Sequence, residues 1–168
     1  MLLTYHFAKR IKGIKIGAKL IEWGQNTKFS HCAVEIIEHP EGDAWIFESV
    51  YPKARRVPLG EWLKTYKPVE SYSFIIDDPI LAQNIKNKLY ANLHKPYSVL
   101  QLVVIGVGIA LKLLEKAINK ITLNAKKYSI CSEYMAEVQA EQGAKFDESV
   151  DLIDLLDVQA QAKKLKGL

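Results

Sequence analysis

Phe29-Ser-His-Cys-Ala-Val-Glu-Ile-Ile-Glu38, then His39-Pro-Glu-Gly-Asp43, then Trp45-Ile-Phe-Glu-Ser-Val-Tyr51 is the stretch whose reading decides the fold. Both flanks are rich in β-branched and aromatic residues, and the middle holds Pro and Gly, so the three pieces read as strand, turn and return strand of a hairpin. With the turn at His39 to Gly42, Glu38 faces Asp43 and Ala33 faces Glu48. His31 and Glu48 then become diagonal neighbours on one sheet face, within reach of long side chains. By the period of two, His31 shares its face with Phe29, Ala33 and Glu35, while Cys32 points the other way into core packing.

Outward from the hairpin, Leu2 to Ala8 is apolar and aromatic and reads as a short strand, and Ile14 to Trp23 has the spacing of a helix through Ile14, Ala18 and Ile21. Arg55 to Leu59 continues the sheet, Gly60 to Tyr66 is a short helix, and Val69 to Ile76 alternates as another strand. Asp78-Pro79 opens a helix that runs to about Leu93, with Pro at its first position. After a break at His94 to Tyr97, the apolar run Val99 to Leu114 merges into Glu115 to Ile121 as one long helix. Ser132 to Gln142 is a helix ended by Gly143, and Glu148 to Lys164 is the last. Helices toward the ends and strands in the middle predict an α+β fold with a central antiparallel sheet packed against helices.

The chain has 168 residues, enough for one domain spanning 1–168 that buries about two thirds of its unfolded surface. Charged residues make up 25% and the hydrophobic set 49%, the balance of a chain that folds rather than one that stays disordered. The formal net charge of +4 is spread out, without the dense basic stripe of a nucleic-acid footprint. Two cysteines do not make a disulfide framework, and MLLTYHFAKR lacks the parts of a secretory signal, so reduced thiols and a cytoplasmic location are expected.

Chemistry is expected at Cys131. A free thiol is mostly protonated at neutral pH, so a nucleophilic cysteine needs positive charge or a helix N-terminus beside it. Ser129, Ser132 and Glu133 are helix-start residues, which puts Cys131 in the first turn, where unpaired amides favour an anion. Lys126 and Lys127 add charge, and the Cys131 N–H faces any oxyanion formed at its own sulfur. His31, fixed on a strand, suits a general base, and Glu48 would orient it. A carboxylate among Trp45, Ile46, Phe47 and Val50 is costly to bury without a partner.

These residues, Trp23-Gly-Gln-Asn-Thr-Lys-Phe-Ser-His31, Phe47-Glu48, Lys95-Pro-Tyr97 and Cys131-Ser-Glu133, resemble the YiiX-like branch of the NlpC superfamily of papain-like hydrolases, whose domain is circularly permuted so that histidine precedes cysteine. The resemblance spans about residues 16 to 157. It implies a permuted papain-like fold with the nucleophile at a helix N-terminus, Cys131 as nucleophile, His31 as base and Glu48 as orienting group. Tyr97 is implied as a cleft residue near the oxyanion, and Trp23 and Ser30 accompany it on the substrate side. Two positions differ from the family: Leu3-Thr-Tyr-His6 replaces an acidic strand, and His94 stands where a glycine precedes the lysine of the turn.

The activity implied is hydrolysis of an amide bond in a peptide or isopeptide, a cell-wall peptide first among them, with no cofactor. A lipid acyl hydrolase or acyltransferase is the alternative on the same fold, and a non-catalytic binding protein is the third. His6 between Tyr5 and Phe7 reads as structural, and His39 as solvated. No metal is expected, since neither histidine has ligand spacing. Val99 to Leu114 is shorter than the about 20 apolar residues of a bilayer span, so a buried helix comes before lipid or partner contact.

Overall fold

A computed structural model describes residues 1–13, 18–19, 21–22, 26–39, 41–98, 130–146, 153 and 155–168. Among these residues the elements run β1 (Leu2–Arg10), β2 (His31–Ile37), β3 (Trp45–Glu48), β4 (Arg55–Pro58), α1 (Leu59–Leu63), β5 (Tyr66–Ile75), α2 (Pro79–Ala91), α3 (Cys131–Glu141) and α4 (Leu155–Leu165). The expected helix at Ile14 to Trp23 lies largely outside the described residues, and so do the long helix from Val99 and the start of the last one. The class is α+β.

The strands form one five-stranded antiparallel sheet in the order β4-β3-β2-β1-β5. β1 sits between β2 and β5, and its residues Leu3 to Ala8 are buried on both faces, which explains a nearly unbroken apolar and aromatic run. β5 is an edge strand and alternates buried and exposed positions. The hairpin register pairs Val34 with Phe47, Glu35 with Ile46 and Ile36 with Trp45, and the same register carries Ala33 to a position opposite Glu48.

One sheet face presents Leu3, Tyr5, Phe7, Cys32, Val34, Ile36 and Phe47 to α2, α3 and α4, forming the main core with Ile85, Leu89, Tyr134, Met135 and Val158. The other face carries Ala8, Ala33 and Ile46 beneath Trp62 and Tyr66, which come from α1 and the start of β5. Phe29 departs from the expected pattern. It packs on Phe7 with ring centroids 5.2 Å apart, in the main core and away from the face of His31. β2 begins only at His31, so the two-residue alternation does not extend back to Phe29.

Local chemistry sets the helix ends. Asp78 Oδ1 accepts from the N–H groups of Ile80 (2.8 Å) and Leu81 (3.4 Å), capping α2 with Pro79 at its start. Past its C-terminus, Asn92 donates to Glu137 Oε2 on α3 at 2.6 Å. The turn that follows holds His94 at φ 68°, in the left-handed region that glycine adopts freely and histidine only at a cost.

α3 is buried almost all round, so its polar side chains are tied down. Ser132 Oγ donates to the Ile153 carbonyl (2.7 Å), Tyr134 Oη to the Leu89 carbonyl (2.9 Å), and Gln139 Nε2 to the Val158 carbonyl (2.9 Å). Gly143, at φ 86°, follows its C-terminus as expected. Among the described residues no helix is long and apolar enough to cross a membrane.

Candidate active site

Cys131 is the first residue of α3, one position earlier than the sequence pattern placed the helix start. Glu133 reaches back to accept from the Ile130 N–H at 3.1 Å, which fixes the entry of the chain into the helix. The thiol is 7% exposed. It lies beside the His31 side chain and beside Cys32, close enough for both to act on its charge.

His31 is the first residue of β2. Its Nε2 is 2.7 Å from Glu48 Oε2, so Nδ1 is the ring nitrogen left for the thiol. The Tyr66 ring stacks on the imidazole, centroids 4.6 Å apart and planes at 23°. Glu48, the last residue of β3, is fully buried and does not face solvent. Both of its oxygens are saturated. Oε2 also accepts from Trp62 Nε1 at 3.0 Å, and Oε1 accepts from Arg55 Nε at 2.9 Å, with Arg55 Nη2 at 2.7 Å. A buried carboxylate with this set of donors recovers the desolvation that an isolated one would forfeit.

The charges reinforce one another. The Cys131 thiol is held well below its ordinary 9.0, first by the hydrogen bond from Cys32, against burial, and then by the hydrogen bond and charge of His31. Burial works against a charged His31. The Tyr66 phenol and the hydrogen bonds to Cys131 and Glu48 outweigh burial and raise the imidazole well above 6.5. For Glu48, burial is likewise outweighed, by His31 and then Arg55, and the carboxyl is lowered from 4.5. All three directions favour a thiolate and imidazolium pair over a neutral thiol and imidazole at neutral pH.

The other expected residues fall as follows. Tyr97 is partly buried and close enough for the thiolate to act on it; burial first, then the charge of Cys131, pushes its phenol well up, so it stays a hydrogen-bond donor. Its backbone is pinned by a 2.9 Å bond from its N–H to the Pro52 carbonyl. Ser30 is 6% exposed, and its Oγ has no hydrogen-bond partner among the described residues. Trp23, Lys126, Lys127 and Ser129 lie outside the described residues.

Arg55, Trp62 and Tyr66 were not singled out from sequence. Arg55 had a signal, because continuing the sheet through β4 sets it directly opposite Glu48, an ion pair across two strands. Trp62 and Tyr66 had none, since only the packing of α1 over the sheet brings them to Glu48 and His31. Cys32 is in the core as expected, at 1% exposure, and it also lies beside the Cys131 thiol, because α3 packs against β2.

A second polar group occupies the same sheet face. His6 Nε2 is 2.6 Å from Glu35 Oε2, and His6 Nδ1 is 2.7 Å from Ser71 Oγ. Trp62 and Tyr66 link the two histidines: the Trp62 ring centroid is 5.4 Å from that of His6 and 5.3 Å from that of Tyr66, which stacks on His31. Among the described residues no group of three or more His, Cys, Asp or Glu is arranged to hold a metal ion.

The chain is thus an α+β protein in which a buried thiol lies beside an imidazole that is hydrogen-bonded to a buried carboxylate, where a helix N-terminus meets a five-stranded antiparallel sheet. No protein-family model matches the chain, and no curated protein matches it.

Proposed function

We propose that this protein is a cysteine hydrolase of the permuted, YiiX-like kind, cleaving an amide bond in a peptide or isopeptide, with a cell-wall peptide as the first candidate substrate. The observation that carries the reading is the series Cys131, His31, Glu48, with Cys131 opening a helix and Glu48 anchored by Arg55 and Trp62. The left-handed backbone of His94 adds support, since it provides without glycine the turn geometry that the resemblance calls for before Lys95.

In this reading the Cys131 thiolate attacks the carbonyl carbon and forms a C–S bond, while negative charge grows on the carbonyl oxygen near the Cys131 N–H in the first turn of α3. His31, as imidazolium, gives its proton to the leaving nitrogen as the C–N bond breaks, and the amine departs. The neutral imidazole then takes a proton from water, the resulting hydroxide attacks the thioester, and the C–S bond breaks. The acid leaves and the thiolate and imidazolium pair is restored. Glu48 touches no reacting atom. It holds Nε2 so that Nδ1 faces the sulfur, and it stabilises the charged ring.

Labelling with iodoacetamide, followed by a panel of peptide, isopeptide and lipid amides, tests the proposal. Native protein is expected to alkylate at Cys131 at pH 6 to 7, far faster than a free thiol, and to turn over at least one peptide-type amide in a manner lost in Cys131→Ser. Alkylation that rises only toward pH 9, or turnover unaffected by His31→Ala, would overturn the reading. Turnover confined to lipid amides would replace the peptide substrate with the acyl-lipid alternative.

A further inference from the structure

The chain has two cysteines, and the fold brings them together at one point. Cys32 and Cys131 are 99 positions apart in sequence, on different elements, and both are free thiols in the main core. A small apolar residue would fill the Cys32 position in a strand that packs against a helix start. A thiol there does something else: it sits in the same core cluster as the Cys131 sulfur, where α3 packs on β2, and the two thiols are close enough to act on each other.

We propose that Cys32 is a resolving thiol, and that oxidation of Cys131 by a peroxide ends in a reversible Cys32–Cys131 disulfide that switches the site off. This rests on Cys131 being the reactive thiolate described above. The two thiols differ as such a pair requires. Cys131, its thiol lowered by its neighbours, is slightly exposed and meets the oxidant, while burial raises Cys32 and favours its protonated form.

The steps balance. The Cys131 thiolate attacks one peroxide oxygen and the O–O bond breaks. The released hydroxide takes the imidazolium proton of His31 and leaves as water, and Cys131 is a sulfenic acid. The Cys32 sulfur then attacks the Cys131 sulfur, the S–O bond breaks, and the departing hydroxide takes the Cys32 proton as a second water. Two thiols and one hydrogen peroxide thus give one disulfide and two waters. The bond removes the nucleophile, and it also keeps Cys131 from climbing to the sulfinic and sulfonic acids, which thiols do not reverse.

The test uses the full chain, substoichiometric to stoichiometric hydrogen peroxide, and intact mass without reductant. The expected result is a loss of about 2 Da with both thiols gone, restored by dithiothreitol. A gain of about 32 or 48 Da confined to Cys131 with Cys32 still free, or no reaction of either thiol, overturns the proposal. In Cys32→Ala the same treatment is expected to give the irreversible gain at Cys131. Since the wild-type mass decides by itself, a variant that does not fold leaves the test intact. The mass needs no substrate, so a disulfide in a protein without turnover would refute the hydrolase reading alone. Turnover in a protein that over-oxidises would refute the switch alone.

Discussion

Two histidine and glutamate pairs lie on one face of the sheet, and their geometry is almost the same. His31 to Glu48 measures 2.7 Å and His6 to Glu35 measures 2.6 Å, and the histidines are 6% and 7% exposed. They differ in what each imidazole meets with its other nitrogen. His6 ends on Ser71, in the middle of an edge strand, whereas His31 reaches Cys131 at a helix start. A hydroxyl in the middle of a strand has no helix N-terminus beside it, so it lacks the dipole and the first-turn amides that Cys131 has. The carboxylates differ as well: Glu48 has Arg55 and Trp62 behind it, and its strength as an anchor comes from that second set of contacts.

The largest expected effect breaks one side of the comparison. Cys131→Ala or His31→Ala lowers kcat by about 10⁴-fold or more, while His6→Gln changes it by less than about tenfold, measured on whichever amide the substrate panel identifies. Comparable losses from both histidines would mean that the sheet face, and not the helix start, holds the reacting atoms.

Removing the carboxylates separates anchoring from burial. Glu48→Ala strands the donors of His31, Trp62 and Arg55 and is expected to cost about 3 to 5 kcal/mol in urea unfolding. Glu35→Ala leaves His6 with Ser71 and should cost about 1 to 3 kcal/mol. The milder Glu48→Gln keeps the shape but loses the charge. It lowers kcat by about 10²-fold and moves the basic limb of the pH profile to lower pH.

The pH profile follows from the directions of the shifts. The proposed mechanism needs a thiolate and imidazolium pair, which the lowered Cys131 and raised His31 favour between their two values, so the rate is expected to be bell-shaped in pH. Stability has its own signs. The Glu48 pairing contributes fully above the ordinary 4.5 and is lost as pH falls through its lowered folded value. The His31 contribution is complete below 6.5 and is lost as pH rises through its raised one. Urea midpoints of wild type and His31→Gln across pH would show the two limbs.

The smallest effect lies at the turn beside the site. His94→Gly relieves a left-handed backbone that costs an ordinary residue about 1 to 2 kcal/mol. Part of that gain is offset by the greater freedom of glycine in the unfolded chain. A gain of up to about 1 kcal/mol in unfolding free energy, read from urea titration, is expected, with turnover unchanged.

Much of this arrangement was legible in the sequence, because it rests on local and periodic features. β-Branched and aromatic flanks around a Pro and Gly turn define the hairpin, and a period of two with a short turn sets its register, which is enough to make Glu48 a neighbour of His31. Helix-start residues such as Glu133 likewise mark the helix to within one position of Cys131. Phe29 shows the limit of that logic, since alternation predicts a face only inside a regular strand.

What the tertiary structure alone decided is how the pieces meet. The docking of α3 against the start of β2 brings Cys131 to His31 and to Cys32, and the fold of α1 over the sheet lowers Trp62 and Tyr66 onto Glu48 and His31. These contacts join residues far apart in the chain, and no periodicity or propensity encodes them. They follow from burying two separate apolar faces of one sheet, a condition that exists only once the whole chain has packed.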